Sequence, residues 1–299
     1  MPTTKMALLT DRGVLSVTGT DARKLLQGII TNDMDRLETE PALHTGLLSA
    51  QGKILFDFFV VPFEAGVLIE TAKGSIAGLK QRLEMYRLRA DALIDDVSSD
   101  YTVAACWGGP HTAAHTASPT IGFADPRHPA LGVRHLASLA SEWRCDAEGA
   151  EAASQDDYHA FRIGIGVPEA GRDFALGDTF PHEALYDQTG SVSFTKGCYV
   201  GQEVVSRMEH RGTAKKRIVR VTGSGALPAP GTDIRAGDVP IGTLGTVAGQ
   251  AGLALLRLDR AAEFRAKDVP IKAGNAILEI SVPDWVTFKM ALGDEAATS

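Results

Sequence analysis

The segment richest in chemistry-bearing side chains is Lys196-Gly197-Cys198-Tyr199-Val200-Gly201-Gln202-Glu203. Two glycines bracket a cysteine and a tyrosine, and glycine lets a backbone turn tightly or approach a ligand closely. Gln202 to Met208 then has the character of a helix. A thiol near a helix N-terminus and beside Lys196 feels positive potential, which favours the nucleophilic thiolate. Cys198 and Lys196 are therefore the candidate catalytic pair. The competing reading of Cys198 is a small buried hydrophobe, the commoner fate of a lone cysteine.

Other chemistries find less support. The three cysteines, Cys106, Cys145 and Cys198, include no C-x-x-C pair, which argues against a disulfide scaffold and a cysteine-bound metal and fits a reducing compartment. Of the histidines, His111 and His115 are four apart, but in a Gly/Ala/Thr loop without further ligands, so no metal site is expected. Neither G-x-G-x-x-G after a strand nor G-x-x-x-x-G-K-[ST] occurs. A basic strip follows the cysteine segment: Arg207, Arg211, Lys215, Lys216, Arg217 and Arg220, against the single acid Glu209. It is either a place for an anionic ligand or a solvated linker between domains.

These residues need a scaffold, and the chain supplies the material for one. It has 299 residues, 44% apolar, with 30 basic and 37 acidic side chains and a net charge of −7. That composition excludes a disordered chain and argues against bulk electrostatic binding of nucleic acid. The longest apolar candidate, Ile54 to Pro62, is interrupted by Asp57 and falls well short of the ~18 residues of a membrane span. Met1 to Thr10 has neither signal-peptide nor transit-peptide character, so bacterial cytoplasm is expected ahead of the mitochondrial matrix.

Hydrophobic spacing places the elements. Gly13–Gly19 reads as a strand, and Thr20 as the cap of a helix whose apolar face is Leu25, Leu26, Ile29 and Ile30. Strands are expected over Lys53–Val61 and Gly66–Thr71, with a turn at Glu64-Ala65-Gly66. Ile76, Leu79, Leu83 and Tyr86 recur at helical spacing between Ser75 and Arg89. Gly108–Ser118 reads as an exposed loop and Ala137–Ser154 as a surface helix. Ser154 with Asp157 has capping-box spacing for a helix carrying Tyr158, Phe161 and Arg162. Beyond Lys216, short β-rich runs (Arg217–Thr222, Ile241–Val247, Leu253–Leu258, Ala276–Val282) alternate with Gly, Pro and Asp, the pattern of a small all-β barrel or sandwich.

The octapeptide Lys196 to Glu203 resembles the signature of the YgfZ-type folate-binding family, whose mitochondrial relatives assist iron–sulfur cluster maturation. Further blocks are similar to that family: Leu26-Gln27-Gly28 with Thr31-Asn32-Asp33, Gln51-Gly52-Lys53-Ile54, and Asp125-Pro126-Arg127 followed by Leu131-Gly132 and Arg134. So are Arg162-Ile163-Gly164 with Gly166-Val167-Pro168, Phe180-Pro181-His182-Glu183 with Asp187, and Gly252-Leu253-Ala254 with Arg257.

The resemblance implies an α+β fold shared with the T-protein of the glycine cleavage system, an aminomethyltransferase. Residues 1–215 would form a folate-binding ring of two subdomains around a central cavity, and residues 216–299 a C-terminal β-barrel. It implies tetrahydrofolate as cofactor and iron–sulfur client or assembly proteins as partners, with no role for nucleic acid or membrane. Asp57 and Glu183 are then candidates for the pterin edge, which a carboxylate can pair bidentately. Arg162, Arg207 and Lys53 are candidates for the anionic tail, with Tyr199, Phe56 and Leu55 as apolar walls. Two departures from the T-protein weigh against aminomethyl transfer. Phe56-Asp57 keeps one acid where the T-protein has two, and Gly164 replaces a pterin-binding glutamate. A folate-dependent transferase or demethylating enzyme and an interaction scaffold with a vestigial cavity remain the alternatives.

Overall fold

The computed structural model describes residues 3–109, 120–139, 150–212 and 214–289. His111, His115 and Cys145 lie outside them, as does most of Gly108–Ser118. The chain divides into two compact units, one holding residues up to Tyr158 together with Thr189–Gln202, the other holding His159–Gln188 and the chain from Glu203 onward.

The first unit carries β1 (Lys5–Leu8), β2 (Arg12–Thr18), α1 (Ala22–Gln27), β3 (Leu43–Leu48), β4 (Ile54–Phe63), β5 (Gly66–Ala72), α2 (Ile76–Arg87) and β6 (Leu93–Asp96). It continues with β7 (Tyr101–Trp107), β8 (Thr120–Ala124), β9 (Val133–Ser138), β10 (Glu151–Ala152) and the start of α3 (Gln155–Ile165). Its strands form two five-stranded sheets, in the orders β3-β4-β5-β2-β6 and β10-β1-β7-β9-β8. The first is antiparallel throughout; in the second only the β1–β10 pair is parallel.

Alternation along the strands explains why the first sheet has two unlike faces. Leu15 and Val17 of β2, Phe58 and Val60 of β4, and Val67 and Ile69 of β5 join Leu26 of α1 and Leu79 and Leu83 of α2 in one buried apolar core. Each such side chain contributes roughly 1.5–3 kcal/mol of burial. The residues between them, Arg12, Asp57, Phe59 and Glu70, occupy the other face and are also buried. There the charges pair: Arg12 Nε lies 2.5 Å from Glu70 Oε1, and Arg134 of β9 lies 2.7 Å from the same oxygen. Arg134 also reaches Asp125, which is paired with Arg127, and both guanidinium groups stand over the Phe59 ring. Buried carboxylates and guanidinium groups thus join β2 and β5 of one sheet to β9 of the other.

The second unit carries the end of α3, most of α4 (Gln202–Arg211), β11 (Lys216–Gly223), β12 (Asp233–Ala236), β13 (Val239–Ala248), β14 (Ala251–Arg257), α5 (Leu258–Ala266), β15 (Ile271–Ala273) and β16 (Ala276–Ser281). Its six strands close into a barrel in the order β11-β14-β13-β12-β15-β16. Val219, Val221, Ile234, Ile241, Leu244 and Leu256 fill the interior. Gly166, at φ +91°, ends α3 and donates to the carbonyls of Arg162 and Ile163, the left-handed turn that glycine adopts without strain.

The expected strands and helices are present, with some corrections. Thr20 does not cap α1: its hydroxyl donates to Asp91, and Asp21 stands at the cap without a side-chain bond. The stretch Ala137–Ser154, read as a surface helix, begins inside β9 and includes the two-residue strand β10, with residues 140–149 outside the described ones. Pairing of Glu151 with Lys5 outweighs the helix propensity of the Ala/Glu composition. The sequence reading places no strand at β1, β3, β6 to β10, β12 or β15 and no helix at α5, and Leu258 opens α5 rather than closing a strand. The Ser154–Asp157 capping box is formed, each residue bonding the other's backbone N–H. No helix among the described residues is long and apolar enough to cross a membrane.

Candidate functional site

The loop Ser193–Val200 ends one residue before Gly201, and Gly201 fixes where it stands. Gly201 has φ +82°, and a Cβ there would lie 2.6 Å from the Ser49 carbonyl oxygen and 3.1 Å from Gly52 Cα. Only glycine lets the cysteine loop close onto the Ser49–Gly52 turn at the head of β4. Gly197, in contrast, faces open space.

Lys196 anchors the other side of the loop. Its side chain is buried, and Nζ donates to the carbonyls of Gln27 (2.7 Å), Ile30 (2.9 Å) and Asn32 (2.7 Å). Three acceptors match the three N–H donors of an ammonium group. Burial pulls this lysine down to about 8, while Asp33 and Asp35 act in the opposite direction. Tyr199 packs its buried ring 5.2 Å from Nζ, and burial raises its phenol above the ordinary value.

Between these anchors Cys198 is a free, exposed thiol. It lines a basin of about 470 Å³ together with Lys196, Gly197, Met34, Asp35 and, from α1, Arg23 and Lys24. The reading of Cys198 as a buried small hydrophobe is thereby corrected. Among the described residues nothing lies within 4 Å of a Cβ placed on Gly197.

Asp57 sits elsewhere in the same unit, on the polar face of β4. Its Oδ2 lies 3.0 Å from His44 Nε2 of β3, and His44 Nδ1 lies 2.6 Å from Ser191 Oγ, itself 2.6 Å from Thr189 Oγ1. Asp57 pairs with Gly46, so His44 is its diagonal neighbour on the same face. His44, Ser191 and Thr189 escaped the sequence reading; the period of two in β3 was the signal that tied His44 to Asp57. Lys53 precedes β4, its backbone N–H donating to Ser49 Oγ.

The remaining site residues belong to the second unit. Arg162 is fully buried, its guanidinium bonded to Asp173, the Val167 carbonyl and Thr246. Glu183 Oε2 accepts the Phe180 N–H at 2.9 Å, and Arg207 pairs with Glu203 on the exposed side of α4. The basic strip is no solvated linker as a whole: Arg217 is buried, donating to Asp187 and to the His182 carbonyl. His182, Asp187 and Glu209 bring potential ligand atoms within 4.8 Å of one another. The Arg217 charge on Asp187 opposes a cation there.

One antiparallel and one mixed five-stranded sheet, with a closed six-stranded barrel, define the aminomethyltransferase-like class. The glycine cleavage system aminomethyltransferase T of Bartonella henselae superposes with a TM-score of 0.74 over 95% of this chain and 86% of its own, at 14% identity, a likeness of fold. Residues 215–288 match the family model described as CAF17, C-terminal beta-barrel domain.

Relatives narrow the class. The iron–sulfur cluster assembly factor IBA57 homolog of Mycosarcoma maydis is 33% identical over 73% of this chain and 57% of its own length. The Neosartorya fischeri homolog is 30% identical over 86% of this chain and 71% of its own, and the human protein 29% over 93% and 84%. The chain belongs to the IBA57 family. It spans little more than half the length of the first of these relatives. All three are described as mitochondrial, which overturns the expectation of a bacterial cytoplasmic protein. That expectation rested on the first ten residues alone.

Proposed function

We propose that the protein supports the assembly or repair of iron–sulfur proteins, binding tetrahydrofolate and presenting Cys198 as its reactive thiol. The observation that carries this reading is the exposed sulfur at the end of an anchored loop, in a chain 30–33% identical to proteins named for iron–sulfur cluster assembly. Burying Lys196 and closing Gly201 onto a β-turn hold the backbone on both sides of an unencumbered sulfur, the preorganisation that a docking or transfer residue needs. Its partners would be iron–sulfur client or assembly proteins.

Folate recognition in this reading falls to the first unit, with Asp57 for the pterin edge and Lys53 and Tyr199 as its further candidates. The His44 contact supports Asp57 as an oriented carboxylate, because a buried acid needs a partner to stay charged. Titration of tetrahydrofolate into the pure protein tests the folate half: saturable binding is expected, and its absence leaves an interaction scaffold. The fold likeness to an aminomethyltransferase supports a second reading, a folate-dependent one-carbon transferase. Turnover of an aminomethyl donor at saturating folate, lost in Asp57→Asn, would favour it over the first.

A further inference from the structure

The basin at Cys198 has a chemical character of its own. Its volume, about 470 Å³, lies within the range of small-molecule sites, roughly 300–1,000 Å³. Arg23 and Lys24 project onto it from α1, and among the described residues neither side chain has an ion pair or hydrogen bond. Asp35 is the single acid on the described wall, and Met34 gives it a buried apolar floor. Lys196 is committed to three backbone carbonyls, so recognition of a ligand is left to the other two cations. In a chain of net charge −7 this is a local reversal of sign, at the one place where a described thiol is exposed.

A guanidinium beside an ammonium selects carboxylates, the first by a two-pronged fit and the second as a point charge. An exposed sulfur on the same wall selects a ligand that carries sulfur. We propose that this basin binds a small, carboxylate-bearing thiol compound, presented as its disulfide, and that Cys198 takes it up by exchange. The inference rests on Cys198 being the reactive thiol of the proposed function. The Cys198 thiolate attacks the nearer sulfur of the disulfide and forms a new S–S bond as the old one breaks. The departing thiolate leaves with the electron pair and takes a proton from water; the ligand disulfide is the oxidant.

Exchange rates measured on the full chain by mass spectrometry test this. Three disulfides serve as probes: glutathione disulfide (anionic), 2-hydroxyethyl disulfide (neutral) and cystamine (cationic). Each rate is divided by that of free N-acetylcysteinamide, an uncharged thiol, with the same probe, which removes intrinsic reactivity. Expected is modification mapped to Cys198, about tenfold faster for the anionic probe than for the neutral one and slowest for the cationic one, the preference shrinking with salt. In Arg23→Gln/Lys24→Gln, two exposed positions where folding is checked by circular dichroism, that preference disappears. Equal normalised rates, or a preference that survives the double variant, overturn the basin and leave the wider reading standing. A Cys198 inert to all three probes and to iodoacetamide overturns both.

Discussion

Lys196 Nζ lies 2.7 Å from the backbone carbonyl oxygen of Asn32 and makes two further bonds of the same kind, to Gln27 and Ile30. The lysine beside the cysteine is thus first an anchor: it ties the loop to the end of α1 and the turn that follows. Lys196→Met is expected to leave three carbonyls, two of them in buried bonds, without their donor and to lower stability by about 2–4 kcal/mol in urea unfolding. A stability equal to wild type would show that the bonds are replaced by water at no cost.

The two glycines of the cysteine segment should behave oppositely. Gly201→Ala puts a methyl group against the Ser49 carbonyl at φ +82° and is expected to cost roughly 1–3 kcal/mol. Gly197→Ala meets nothing within 4 Å and should stay within about 0.5 kcal/mol of wild type. Equal effects would contradict the assignment of Gly201 as the closing point.

Acid should release the buried charges of the first unit. Burial alone would raise the Asp125 carboxyl, but Arg127, by charge and hydrogen bonds, and then Arg134 hold it well below the usual carboxylate range. The native state therefore binds fewer protons than the unfolded chain, and the stability from Asp125 is complete above the ordinary value of about 4 and lost as pH falls below it. Asp125→Asn should cost about 3–5 kcal/mol at pH 7, by leaving Arg127 and Arg134 short of an anion, and flatten the acid limb of the stability curve. An unchanged acid limb would remove Asp125 as its source.

Much of the fold was legible because it follows local rules. The apolar spacing of α2, the run of β4 and the Ser154–Asp157 capping box are each decided within a dozen residues. The polar face was not legible. Glu70 and Arg134 are 64 positions apart, and nothing local in either strand says that the two meet. The candidate loop was visible as a motif, while its anchors were not: Lys196 reads as a free cation until the carbonyls of Gln27, Ile30 and Asn32 surround it. Short strands such as β15, three residues long, leave too little pattern to detect.

If Asp57 contacts folate, its removal should show in affinity before it shows in stability. Asp57→Asn is expected to weaken tetrahydrofolate binding about tenfold or more, the loss of a charged hydrogen bond worth roughly 1.5–3 kcal/mol. His44→Ala, which removes the side chain 3.0 Å from that carboxylate, should weaken it less. Isothermal titration on both variants checks this, and unchanged affinity in Asp57→Asn takes that residue out of the site.

The sulfur itself is tested most directly in cells deleted for this protein, by assaying their iron–sulfur enzymes after return of wild type or of Cys198→Ala. The variant is expected to fold, to bind tetrahydrofolate like wild type and to restore little or none of the enzyme activity. Full restoration by Cys198→Ala would contradict the central role given to that thiol.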